Sequence, residues 1–292
     1  MIVVAGGTGT LGTRVVPRLT RQGHAVRVLT RDPTRASHLI PLGVEVVRGD
    51  VRDSASLAHA LRGATSVISS VHGFAGPGGV SPAAVDQVGN ANLISAATRT
   101  GAAFILVSVV GAAPSHPLEL FRAKDAAERA LRSSGIPWTI VRATAFMETW
   151  ATIMSGPVKA SGKILVFGRG DNPINFVSAA DVAELIALTA TDPSLRGRVL
   201  EVGGPGNLTF NQVAAILQEV TGIPAAVRHV PRPGLRAMAW LTTIAKPALA
   251  RQARAAIAMD TLDMTFDWAA ARQALPNLPE TDMQSALKEL LA

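Results

Sequence analysis

Gly6, Gly9 and Gly12 stand three residues apart in the run Ile-Val-Val-Ala-Gly-Gly-Thr-Gly-Thr-Leu-Gly that fills positions 2 to 12. Glycine at this spacing suits one task, bringing backbone N–H groups against an anion. Gly6 permits a tight turn, Gly9 lets the main chain approach a phosphate, and Gly12 lets a helix pack on the preceding strand. The context fits. An apolar run (Ile2, Val3, Val4, Ala5) leads in, and a helical pattern (Leu11, Val15, Val16, Leu19) leads out. The helix N-terminus therefore points at a diphosphate. Thr8, Thr10 and Leu11 complete the loop around it.

Such a ligand lies across the carboxyl ends of parallel strands, so each later strand end can be read for a contact. The second strand ends at Thr30-Arg31-Asp32-Pro33. Arginine forks onto phosphate and stacks on adenine, so Arg31 in the leading position favours NADP (as NADPH) over NAD. Arg14, in the first helical turn, adds a second positive charge or stays solvated. After the third strand, Asp50 accepts from the adenine amino group or caps the next helix, and Val51 packs on the ring. Ser69, Ser70, Val71 and His72 follow the fourth strand and border the nicotinamide ribose. Ser108 ends the fifth, near the nicotinamide ring.

These positions require elements to hold them. Residues 25–30, 44–48, 65–69, 102–108 and 138–142 read as short apolar strands, and 11–22, 54–61, 82–100 and 118–133 as helices between them. Gly23, Gly63, Gly101 and Gly135 each follow a helical run, as C-terminal caps do. The alternation predicts an α/β fold, a Rossmann-type doubly wound parallel sheet with right-handed crossovers. It occupies residues 1–150. Residues 151–292 form mainly a small C-terminal lobe covering the substrate, with strands from about 160–205 returning to or extending the sheet. Strands are read at 163–167 and 199–203, and helices at 179–190 and 210–221. The Pro-, Ala- and Arg-rich stretch 231–259 reads as helices of the lobe, with Met238, Trp240, Leu241, Ile244 and Leu249 among its apolar residues.

Composition narrows the chemistry. With no cysteine in 292 residues there is no disulfide, thiolate nucleophile or Cys-ligated zinc, which fits a reducing, cytoplasmic setting. The first residues already read as a strand, so no secretory leader is expected. No apolar run reaches about 18 residues, so no membrane partner is expected. His24, His38, His59, His72, His116 and His229 show no ligand spacing, so no metal is expected. The net charge of +7 comes from spread residues, densest at Arg228, Arg232, Arg236, Lys246, Arg251 and Arg254. Only 4% of residues are aromatic, too few for base stacking, so a solvated basic surface is expected rather than nucleic-acid binding. Ser108 sits in Val-Ser-Val without the glycines of a nucleophile elbow.

Together, GGTGTLG (6–12), LTRDP (29–33), GDVRD (49–53), RAKDAAERAL (122–131), SGIPWTIVRATAFME (134–148) and FVSAADVAEL (176–185) resemble the short-chain dehydrogenase/reductase superfamily. The similarity is to its atypical, NmrA-like branch of NAD(P)-binding proteins. It spans nearly the whole chain and weakens after about residue 225. In that superfamily a Tyr-x-x-x-Lys pair moves the substrate proton and holds the ribose. Lys124 matches the lysine, but Leu120 and Phe121 stand near the tyrosine position and the chain contains no tyrosine. The resemblance implies that Lys124 binds the nicotinamide ribose; its spacing alone would allow a surface ion pair with Glu128.

Two functions follow. The first is an NADPH-dependent reductase whose small-molecule hydride acceptor, such as a quinone or dye, needs no strong general acid. Ser108 and His72 would then hydrogen-bond the acceptor, with His72 donating a proton near neutral pH. Phe146, Met147 and Trp150 would form the apolar pocket wall. The second is a non-catalytic redox sensor with a protein partner, for which an exposed apolar face within 238–257 would speak. A monomer or homodimer is expected. A sugar-nucleotide epimerase is disfavoured because it too uses the tyrosine.

Overall fold

The structure, a computed structural model, describes all residues except 77–78, 159–161, 223–224 and 292. The first strand, β1 (Ile2–Ala5), is buried along its whole length. That is what a parallel strand covered by helices on both faces requires, and it explains why these strands read as unbroken apolar runs. Its neighbours are β2 (Val26–Thr30) and β4 (Ser66–Ser69), both parallel, with Val4 opposite Val28 on one side and Ile68 on the other. Outward from β2 lies β3 (Glu45–Arg48). Outward from β4 lie β5 (Ala103–Val109), β6 (Trp138–Ala143) and β10 (Arg198–Val202). The order β3-β2-β1-β4-β5-β6-β10 reverses direction beside β1, so the ends of β1 and β4 open together at the switch point.

The helices α1 (Gly12–Arg21), α2 (Ser54–Ala60), α3 (Asn90–Thr100) and α4 (Glu119–Arg132) make the crossovers. Gly12, Val15, Val16 and Leu19 form the buried stripe of α1. Val3, Leu57, Leu93, Phe104 and Ile140 meet in one core, where each large side chain contributes about 1.5–3 kcal/mol of burial. The four glycines read as helix stops all have positive φ, between 69° and 82°.

The predicted helix over 82–100 divides. Pro82–Gly89 is a π-helical stretch, and α3 begins only at Asn90. One wider turn rotates the following side chains to new directions, and such turns are frequent at functional sites.

Two compact units are present. The first comprises Met1–Arg142 with Val182–Glu201, the second Ala143–Asp181 with Val202–Ala292. The strand read at 163–167 lies in the second unit as β8 (Lys163–Phe167), parallel to β12 (Ala226–Val230). A three-stranded sheet joins β7 (Ala145–Phe146), β9 (Ile174–Val177) and β11 (Asn207–Leu208). Around these lie α5 (Met147–Ser155), α7 (Phe210–Thr221), α8 (Arg232–Leu241), α9 (Pro247–Met259), α10 (Trp268–Arg272) and α11 (Met283–Leu291), and α6 (Ala179–Thr191) connects back to the first unit. Among the described residues no helix is long and apolar enough to cross a membrane.

Candidate functional site

Gly6 adopts φ +88°, and a Cβ there would meet the Ser70 carbonyl oxygen at 2.9 Å. A Cβ on Gly12 would come within 2.2 Å of the Gly6 carbonyl oxygen. Gly9 differs. Its N–H donates to Gly6 O at 3.0 Å, and a Cβ there would meet only that oxygen, at 3.4 Å. Gly9 and Thr10 are exposed, so the loop keeps an open cradle above its backbone. No side chain caps α1, and its first turn holds no acid. Thr13 N donates to Gly9 O and Arg14 N to Leu11 O, both at 3.0 Å, so the anion-facing amides are those of the glycine loop that opens the helix. Arg14 Nη1 donates to Thr10 O at 2.9 Å, which ties its charge to the same loop. Gly12→Ala is expected to destabilise the fold by about 1–3 kcal/mol through overlap with rigid backbone. Urea unfolding measures this, and an unchanged midpoint would contradict the packing described.

At the end of β2, Asp32 accepts from Thr34 N at 3.0 Å and Thr34 Oγ1 at 2.6 Å. It thereby caps the 3₁₀ turn Pro33–Leu42. These bonds, helped by Arg35 and Arg48, hold its carboxyl below the usual range. With Asp32 committed to the turn, exposed Arg31 leads the strand end. Arg35 and Arg48 are exposed too, and Arg48 sits opposite Thr30 in the β2–β3 register. This basic group fits a phosphate on the ribose. The sequence reading missed Arg35 and Arg48, although the parallel alignment of the β2 and β3 ends offered a signal for Arg48.

Asp50 does not cap the next helix. Its carboxylate takes a fork from Arg52, with Nε at 3.1 Å from both oxygens and Nη2 at 2.6 Å from Oδ2. Arg52 hydrogen bonding, partly opposed by burial, lowers its pKa. The cap of α2 is Asp53, which accepts from Ala55 N at 3.1 Å. Val51 is buried in the core, and its carbonyl accepts from Asn92 Nδ2.

The serines after β4 point into protein. Ser69 Oγ donates to Asn90 Oδ1 at 2.5 Å, and Ser70 Oγ donates to Ala5 O at 3.0 Å. Beside them Lys124, only 4% exposed, donates to Val71 O at 3.0 Å. Its ammonium also lies 2.9 Å from Asp86 Oδ1. Asp86 is fully buried on the π-helical stretch, and its other oxygen accepts from Gly73 N at 2.7 Å. One carboxylate thus fixes both the lysine and the loop 71–73. Lys124 does not pair with Glu128, so the surface ion pair allowed by their spacing is absent. Asp86 was missed, because a π turn leaves no mark in the apolar pattern.

His72 lies on that loop. Its pKa is depressed by desolvation, and Lys124 depresses it further against the pull of Asp86.

Ser108 is buried, and its Oγ donates to Glu128 Oε1 at 2.6 Å. Glu128 is fully buried on α4. It receives Arg142 Nε at 2.9 Å and Nη2 at 2.8 Å, and Arg132 Nη2 at 2.9 Å. Arg142 reaches on to Glu201 at 3.1 Å. The hydroxyl of Ser108 is thus held in a fixed direction by a charged network behind it. Phe146, Met147 and Trp150 belong to the second unit. Met147 and Trp150 are core side chains there, and Trp150 packs against Phe167 and Phe210 at ring separations of 6.2 and 5.2 Å. Among the described residues no cluster of three or more His, Asp or Glu side chains could hold a metal.

The chain matches the profile of the NmrA-like family over residues 1–261. An NAD(P)H azoreductase of Xenophilus azovorans is 31% identical over 232 residues, covering 79% of this chain and 76% of that protein. Quinone oxidoreductase 2 of Escherichia coli (strain K12) is 28% identical over 226 residues, 76% of this chain and 75% of that one. In fold, the chain is similar to Citrobacter sp. triphenylmethane reductase complexed with NADP(H), with a TM-score of 0.78 at 22% identity over 99% of both chains. On the strength of the profile match and the azoreductase likeness, this chain is a member of the NmrA-like family.

Proposed function

We propose that the protein is an NADPH-dependent oxidoreductase acting on a conjugated acceptor such as a quinone or dye. One observation carries the reading: a well-formed dinucleotide cradle shares the first unit with a buried lysine and no phenol. The cradle consists of the uncapped α1 N-terminus, the open space at Gly9 and the basic group Arg31, Arg35 and Arg48. The names of the azoreductase and quinone oxidoreductase relatives support the acceptor class.

NADPH, when bound, supplies the hydride. The chain supplies binding and orientation. The glycine loop at the α1 N-terminus holds the diphosphate, and Arg31 with its basic neighbours selects the 2′-phosphate. Lys124 donates one N–H to Val71 O and pairs its charge with Asp86, which leaves donor capacity on the ammonium for a ribose hydroxyl. Leu120 and Phe121 cannot move a proton, and the chain has no tyrosine elsewhere to do so. A conjugated acceptor spreads the incoming charge over its own π-system and has no need of that proton in the rate-limiting step.

Arg31→Ala is expected to weaken NADPH binding about 10- to 100-fold while NADH binding changes little. Fluorescence titration with both nucleotides tests this, and equal losses would remove the 2′-phosphate assignment. Acceptor-dependent NADPH oxidation across a panel of quinones, azo dyes and triarylmethane dyes tests the activity itself. A second reading, a sensor that binds the dinucleotide without turnover, is favoured by the exposure of Trp240, Leu241 and Ile244. Tight NADPH binding with no oxidation on any acceptor would select it.

A further inference from the structure

Helices α8 and α9 in the second unit pack against each other and are joined by the five residues Thr242 to Lys246. At and beside this turn stand the three most exposed large apolar side chains among the described residues: Trp240 at 78%, Leu241 at 67% and Ile244 at 95%. A soluble surface carries scattered apolar residues, but three together at one hairpin turn need a partner.

Along the sequence of these helices the charge is one-sided. Between Glu219 and Asp260 the forty residues include six Lys or Arg (Arg228, Arg232, Arg236, Lys246, Arg251, Arg254) and no acid. Asp260, which closes the stretch, is buried and occupied by Arg232 and by the N–H groups of Arg169 and Gly170. Arg236 and Lys246 are exposed, one a helical turn before Trp240 and the other the last residue of the connecting turn.

We propose that this hairpin turn docks on an anionic lipid surface. Apolar side chains with a tryptophan among them, flanked by cations and free of acids, match a membrane interface: the apolar groups enter the headgroup boundary and the cations meet lipid phosphates. A second copy of the chain is a poor occupant, because a two-fold contact would set this cationic face against itself. A helical turn carrying exposed side chains offers no groove for a protein segment, whereas lipid headgroups conform to it. The contact is peripheral, so it revises the expectation of no membrane partner without requiring a spanning segment. It stands apart from the acceptor assignment, since docking needs no turnover.

The test is co-flotation of the whole protein with phosphatidylcholine vesicles, with and without phosphatidylglycerol. Binding is expected only with phosphatidylglycerol and should fall at high salt. Trp240→Ser combined with Ile244→Ser should weaken it at least about tenfold. Both side chains are exposed, so the variant should keep the wild-type urea midpoint and NADPH affinity. Trp240 fluorescence, isolated by comparison with Trp240→Phe, should shift to the blue on binding. No binding to either vesicle would overturn the proposal. So would binding untouched by the double variant, which would place the contact on another surface. A dimer that the double variant dissociates would assign the turn to a second copy. Binding to an acidic polypeptide at vesicle-like affinity, with the same dependence on Trp240 and Ile244, would assign it to a protein partner.

Discussion

Glu128→Ala is expected to remove about 3–5 kcal/mol of folding stability, the usual effect of taking one member out of a buried charged network. Glu128 on α4 receives Ser108 from β5, Arg142 from β6 and Arg132 from its own helix. Without it, Arg142 keeps only Glu201, and the Ser108 hydroxyl loses its acceptor in a site closed to water. The same carboxylate makes the protein acid-sensitive. Burial alone would raise its pKa, but hydrogen bonds from Arg142 and Ser108 and the nearby guanidinium charges bring it below the ordinary value. Its folded-state pKa is therefore lower than its unfolded one. The stability it contributes is full above the unfolded carboxylate range, around pH 4.3, and is lost as pH falls through the folded value. Urea unfolding at neutral and acidic pH should show the wild type losing stability across this window and Glu128→Ala losing less. A neutral-pH loss below about 1 kcal/mol would contradict the network.

Lys124→Met is expected to produce the second large effect, again about 3–5 kcal/mol, because it strands the Asp86 carboxylate in a fully buried position. Asp86 would retain only the Gly73 N–H. Neutralising both partners in Lys124→Met with Asp86→Asn should restore most of the stability, since the asparagine oxygen can still accept from Gly73. Dinucleotide affinity should stay low in the double variant, because the lysine N–H proposed for the ribose is gone in both. Urea midpoints and NADPH titrations on the two singles and the double complete the cycle. Equal losses of stability in Lys124→Met and in the double variant would refute the pairing.

The parallel strands were legible in the sequence because burial on both faces writes them as apolar runs. The loop at Gly6 to Gly12 was legible because only glycine satisfies its close backbone approaches. Lys124 was found through the family resemblance, but its partner was not. An i,i+4 spacing pointed to Glu128, whereas in the fold each residue has a stronger partner off the helix, Asp86 for one and Arg142 for the other. Asp86 itself was hidden by the π-helical stretch, which shifts register without changing the spacing of apolar residues. Short strands such as β11 are two residues long, and β12 carries Arg228 and His229 with little burial, so neither has a periodic signal. Asp50 and the strand-end serines were identified by position. What they bond depends on Arg52, Asn90, Ala5 and Glu128, which only the folded chain brings near.

The most direct test of the account is anaerobic mixing of the purified protein with NADPH and one quinone or dye at a time, followed at the nicotinamide absorbance band. Acceptor-dependent loss of NADPH above the protein-free rate, much slower with NADH, is the result expected here. NADPH that binds tightly yet is consumed no faster than without protein, on every acceptor, would contradict the reductase assignment.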